Sequence, residues 1–167
     1  PFLVASMYAP WEKQHRSVEG RRIYADASVH RLISDLSVFI GYRDRHRHRI
    51  VAAGDLNVLN GYGEKGSRYW ASRYATVFDR MDSLGMEFVG PQVPQGRAAE
   101  PWPGELPEES KNVPTYHTKS QTPETAKRQL DFVFASQAIS SDVTCAANNE
   151  PADWGHSDHC MIEIKVG

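Results

Sequence analysis

This chain has only two cysteines, no apolar run of the ~18 residues a membrane-spanning helix needs, and no surplus of positive charge. Each shortage excludes something. Cys145 and Cys160 lack the C-x-x-C spacing of a zinc site and are too few for a disulfide framework, so both read as buried thiols in strands. A mean hydropathy of -0.54 adds to the case against a membrane span, and the start carries no basic-then-apolar signal pattern. The formal net charge of -2 supplies no global attraction to a polyanion, so any such site must be local. The densest local candidate is Arg43-Asp44-Arg45-His46-Arg47-His48-Arg49, which reads as a solvated helix-to-strand loop or as a phosphate-contacting patch. There is no internal repeat and no low-complexity tract. No serine or cysteine sits in a G-x-S-x-G elbow, which disfavours an Asp-His hydrolase triad.

What is present fits a single domain of α/β type spanning residues 1–167. Residues 2–8 are an apolar run of strand formers, broken at Pro10. Because residues 1–9 already read as the inside of a strand, the chain is expected to begin in mid-fold, with a segment upstream. Residues 24–40 repeat apolar side chains at helical spacing, and Val29, Leu32, Ile33, Leu36, Phe39 and Ile40 gather on one face. Residues 50–53 are a continuous apolar run that ends in Gly54-Asp55, as a buried strand hands over to a functional loop. A β-α-β unit follows from this order. After the turn-rich Asn60-Gly61-Tyr62-Gly63-Glu64-Lys65-Gly66, a second helix is expected over 68–84, with Tyr74, Val77, Phe78, Met81 and Leu84 as its stripe and Gly85 as its cap. A brief strand is expected at 87–89. Six prolines then interrupt residues 91–114, which read as a surface loop bordering the site. Four further runs, 114–119, 130–135, 143–147 and 159–166, are spaced like strands of one sheet.

Polar residues end or interrupt these apolar strands at four places: Tyr8 before Ala9-Pro10, Asp55 and Asn57 in Gly-Asp-Leu-Asn, Asp131 in Gln-Leu-Asp-Phe-Val-Phe, and Asp158-His159 in Gly-His-Ser-Asp-His. A carboxylate inside a hydrophobic strand is costly unless it is paired, so Asp131 calls for a partner, and a histidine is the natural one. Singly, Asp55 also reads as a strand-end turn or helix cap, and Asp131 as a buried structural hydrogen-bonder. His159 alone reads as a packed or exposed side chain. Their shared placement at strand ends is what favours a site.

Together Tyr8-Ala9-Pro10, Gly54-Asp55-Leu56-Asn57, Leu130 to Ser136 and Ser157-Asp158-His159 resemble consecutive C-terminal motifs of the endonuclease/exonuclease/phosphatase superfamily. The resemblance implies an α/β fold of deoxyribonuclease I-like type, a β-sandwich flanked by helices. This chain would hold its C-terminal part: one mixed or antiparallel sheet and two main helices. It further implies a metal-dependent phosphoester hydrolase, nuclease or phosphatase. In it Asp55 would orient or deprotonate the attacking water, and Asn57 would hold that water or a phosphate oxygen. Tyr8 would donate to the phosphate, Asp131 and His159 would form a carboxylate-imidazole pair, and Asp158 would ligate Mg²⁺ or Mn²⁺. Oxygen ligands around such an ion would polarise the phosphate.

The family's earlier motifs, including the glutamate that is its principal metal ligand, have no counterpart here. The metal site is therefore expected to be incomplete, with Glu12 and Glu64 as remote substitutes. A lone C-terminal half is also expected to expose an apolar sheet face, covered by a second copy or by an N-terminal segment. The substrate stays open. A nucleic acid is favoured by the arginines of 43–49 and by Tyr62, Tyr69, Trp70, Trp102 and Tyr116, with a phosphomonoester or phospholipid headgroup as alternatives. A catalytically incomplete binding or assembly module of the same fold is the other reading.

Overall fold

The computed structural model describes residues 1–14, 19–40, 47–63 and 66–167. Its frame is a four-stranded mixed sheet in the order β1-β4-β6-β5, made of β1 (Leu3–Tyr8), β4 (Ile50–Asp55), β6 (Asp131–Ser136) and β5 (Met86–Gly90). The expected β-α-β unit is there. β1 and β4 pair in parallel, and α1 (Ala25–Ser37) makes the crossover after a small antiparallel pair, β2 (Glu12–Gln14) and β3 (Arg22–Tyr24). α2 (Arg68–Ser83) leads antiparallel into the edge strand β5. Gly85 follows it with φ 71°, the left-handed C-terminal stop its position suggested.

The period of two along the strands sorts the core into layers. Met7, Ala52, Phe132 and Phe134 point to one face, where Val29, Ile33 and Leu36 of α1 and Tyr74, Val77 and Met81 of α2 cover them. Val51, Val133 and Ala135 point to the other, where a two-stranded ribbon of β7 (Val143–Asn148) and β8 (Met161–Val166) packs with Val143, Cys145, Ile162 and Ile164. β6 is central, so both of its faces are covered and Phe132 through Ser136 are all buried.

Four expectations are corrected. The last strands do not share one sheet: β6 joins β4 and β5, whereas β7 and β8 form their own ribbon on the sheet's second face. Alternation within a strand shows which side chains point together but not which strand lies alongside. Residues 114–119 form no strand. Only Tyr116 makes isolated bridges, to Arg128 and His159. The first helix stops at Ser37, and Phe39, placed on its apolar face by spacing, is 60% exposed beyond the end. Both cysteines are free and buried, although Cys160 lies just ahead of β8 rather than inside a strand. The ribbon covers β4 and β6 but not β1, where Val4 and Tyr8 are exposed at 69% and 67%.

Residues 91–114 hold no helix or strand, yet they are fastened to the frame. Gln129 Nε2 donates to the Pro91 carbonyl, and Asn112 Nδ2 donates to the carbonyl of Asn60 in the loop beyond β4.

Candidate active site

Register brings the candidate residues together. Tyr8 pairs with Asp55 across β1–β4, and Asp55 pairs with Asp131 across β4–β6, so the three form one row on the ribbon face of the sheet. Adjacent strands lie about 4.8 Å apart, which makes the two carboxylates direct cross-strand neighbours. Gly54 makes this end of the sheet possible. Its φ is 149°, and a Cβ there would collide with the Met7 carbonyl oxygen of β1.

Beyond the strand, Asn57 adopts a left-handed φ of 49°, a conformation asparagine tolerates better than most residues. The turn folds Asn57 back on Asp55, whose Oδ1 accepts the Asn57 backbone N–H at 3.0 Å and whose Oδ2 accepts Nδ2–H at 2.7 Å. Nδ2 also donates to the Ala9 carbonyl at 3.0 Å, tying the ends of β1 and β4 together.

His159 reaches the row through a clamp that the sequence did not disclose. Backbone N–H groups of Thr115 and Tyr116 donate to the Arg128 carbonyl, while those of His117 and Cys160 bond to the carbonyls of Asp158 and Thr115. Residues 115–117 thereby join the approach to β6 with the segment before β8. Thr115, fully buried, accepts the N–H groups of Leu130 and Asp131 on its Oγ1 at 3.0 and 3.1 Å and fixes the start of β6. His159 Nδ1 then lies 2.8 Å from Asp131 Oδ2. With Asp131 ionised, Nδ1 is the donor, which turns Nε2 toward Asp55 Oδ2 at 3.9 Å. That gap exceeds a hydrogen bond, so both groups face a common space with capacity unfilled. The Tyr116 ring packs against the imidazole at a centroid distance of 4.9 Å.

The electrostatics follow from this crowding. Burial first, and then the neighbouring Asp131 charge, push the Asp55 carboxyl up to about 6, against the opposing pull of His159 and of the two Asn57 hydrogen bonds. For His159, burial disfavours the imidazolium. The hydrogen bond and charge of Asp131, joined by the charges of Asp55 and Asp158, outweigh it and hold the ring above its ordinary value. The site thus pairs a carboxylate raised toward neutral pH with an imidazole whose charged form its carboxylate neighbours favour.

The other candidates fare differently. Tyr8 sits at the edge of the row with its ring in solvent. Asp158 is exposed next to His159 and acts on it through charge alone. Glu12 is ion-paired with Arg22 on the β2–β3 pair, and Glu64 lies outside the described residues. Among the described residues no group of three His, Cys, Asp or Glu side chains is arranged to hold a metal ion. The donors present therefore do not make up the Mg²⁺ or Mn²⁺ site that the resemblance implies. Of the basic segment, Arg43 to His46 lie outside the described residues. Arg47 to Arg49 precede β4, six residues and about 20 Å from Asp55, at the opposite end of the sheet from His159. They do not serve this site. Among the described residues no helix is long and apolar enough to cross a membrane.

This architecture, a helix-flanked β-sandwich with its polar row at the strand ends, is a deoxyribonuclease I-like fold. A solved structure it resembles is the endonuclease domain of TRAS1, a telomere-specific non-LTR retrotransposon, with a TM-score of 0.51 and 13% identity. The match covers 89% of this chain and 59% of that domain. No family model matches the chain, and no curated protein does either.

Proposed function

We propose that this domain hydrolyses phosphoesters, with nucleic-acid phosphodiesters as the substrate. The observation that carries the reading is the Asp55–His159–Asp131 constellation, in which Asp131 at 2.8 Å orients an imidazole whose other nitrogen shares an open space with a carboxyl raised to about 6. In this reading Asp55 takes the proton of the attacking water, and Asn57 holds Asp55 and the ends of β1 and β4 in place. His159, charged and fixed by Asp131, donates Nε2–H to a phosphoryl oxygen as negative charge builds there. Tyr8 offers its hydroxyl from the edge of the same row. The nuclease identity of the TRAS1 domain supports a nucleic-acid substrate over a headgroup or small phosphomonoester.

Dependence on Mg²⁺ or Mn²⁺ belongs to the same proposal, with Asp158 as one ligand. No step above runs through that ion. The chain is to be incubated with supercoiled plasmid and with a generic phosphodiester in the presence of each ion, and metal binding followed by calorimetry. Cleavage that disappears in His159→Ala supports the reading. Neither cleavage nor metal binding supports the second reading, a binding or assembly module that keeps the fold, which the lack of a three-ligand metal cluster among the described residues favours.

A further inference from the structure

An aromatic cavity opens at the same end of the sheet as the catalytic row, on its helix side, and the chemistry above makes no use of it. Its volume is about 340 Å³, within the range of roughly 300–1,000 Å³ for small-ligand pockets. Trp11, Tyr24, Tyr62, Trp70, Tyr74 and Arg128 form its wall.

The rings are held before any ligand arrives. Trp70 stacks on Tyr74 at 5.7 Å with 23° between planes and meets Tyr24 edge-on at 4.9 Å. Arg73 backs them, its guanidinium 5.3 Å from the Trp70 centroid. It is itself locked by a two-pronged pair with the buried Asp26, at 2.7 and 3.0 Å, that ties α2 to α1. Arg128 is the cation on the opposite wall. No carboxylate among the described residues lies within ion-pair distance of it, although Glu105 and Glu12, the latter ion-paired with Arg22, line the same cavity. Burial keeps the Tyr62 hydroxyl protonated, with a pKa near 12.

Chain continuity fixes how far this cavity lies from the catalytic row. Trp11 comes three residues after Tyr8, Leu59 four after Asp55, and Arg128 three before Asp131. An extended chain covers at most about 3.6 Å per residue, so these three walls start within about 11–14 Å of the row. A nucleic-acid strand at a rise of about 3.4 Å per nucleotide covers that in three or four nucleotides. Flat π faces beside the Arg128 guanidinium suit a base and its phosphate better than an alkyl chain or a sugar.

We propose that this cavity is a nucleobase subsite: it takes one unstacked base of a strand whose scissile phosphate lies at His159, with the adjoining phosphate against Arg128. This rests on the phosphoesterase reading and deepens it from a phosphodiester to a strand opened at one base. The subsite selects and positions the strand, and the chemistry stays with Asp55 and His159.

The test is equilibrium binding of a labelled single-stranded oligonucleotide, without divalent ion, with one abasic position walked along its length. Removal of the base at a single position is expected to lower affinity about tenfold for the wild-type chain. Trp11→Ala alters a half-exposed ring and spares the core. It is expected to weaken the intact oligonucleotide about tenfold and to abolish sensitivity to the abasic position. Arg128→Gln is expected to reduce the salt dependence by about one counterion. Absence of binding, an equal loss at every abasic position, or a Trp11→Ala chain as sensitive as wild type would overturn the subsite. A chain that shows the signature but cleaves nothing breaks the catalytic reading alone. One that cleaves oligonucleotides without a sensitive base breaks the subsite alone.

Discussion

At the start of β4 the Ser136 hydroxyl accepts the Ile50 N–H at 2.7 Å and donates to the Ile50 carbonyl at 3.2 Å; at its far end Asp131 faces Asp55 across the same two strands. Both places put polar side chains on buried strands. Ser136 is fully buried and spends its hydrogen-bonding capacity on one backbone neighbour, which welds the β4–β6 edge shut. Asp55 and Asp131 cannot neutralise each other, so the crowding is relieved by proton uptake on Asp55 and by recruiting His159. A polar residue in a strand thus marks a site when it has capacity left over, and marks only structure when it has none.

The contrast can be broken from either end. The largest effect is expected at Asp131. Asp131→Asn keeps the shape but removes the charge that holds the imidazolium, and phosphodiester cleavage should fall by roughly 10²–10⁴-fold. An NMR titration of His159 in the same variant should show its pKa moved down. Retained activity with an unmoved titration would mean that Asp131 is only structural. Ser136→Ala should do the reverse. Leaving the Ile50 N–H and carbonyl buried without partners costs about 1–3 kcal/mol in denaturant unfolding, and the rate per folded molecule should not change.

The smallest effect is the pH dependence of stability at Asp55. Its folded pKa lies above its unfolded value, so its favourable contribution is complete below about pH 4 and is lost as pH rises through about 6. Asp55→Asn lacks that loss. The difference in Tm between variant and wild type should therefore grow in the variant's favour from about pH 4 to 7, and a difference independent of pH would place Asp55 at an ordinary pKa.

Much of this end of the molecule was legible in the sequence. Asp55, Asn57, Asp131 and His159 each interrupt or end an apolar run, and a carboxylate between Leu130 and Phe132 required a partner. What stayed hidden depends on contacts between distant segments. Thr115 gave no local sign that its hydroxyl would accept two backbone N–H groups of β6. The separation of β7 and β8 from the main sheet, and the meeting of Trp11 with Trp70 and Arg128, follow from strand pairing that periodicity does not encode. Phe39 failed for a different reason: helical spacing continued past the point where α1 ends. For the basic segment, read as a solvated loop or a phosphate-contacting patch, charge density gave no sign that Arg47 to Arg49 precede the end of β4 far from Asp55.

The most direct test is cleavage of supercoiled plasmid in Mg²⁺ by the wild-type chain and by His159→Gln, with circular dichroism confirming that both are folded. Nicking by the wild type, reduced at least ~100-fold in the variant, is the expected result. Equal nicking by the two proteins, or none by either on any phosphoester, would contradict a catalytic role for the Asp55–His159–Asp131 row.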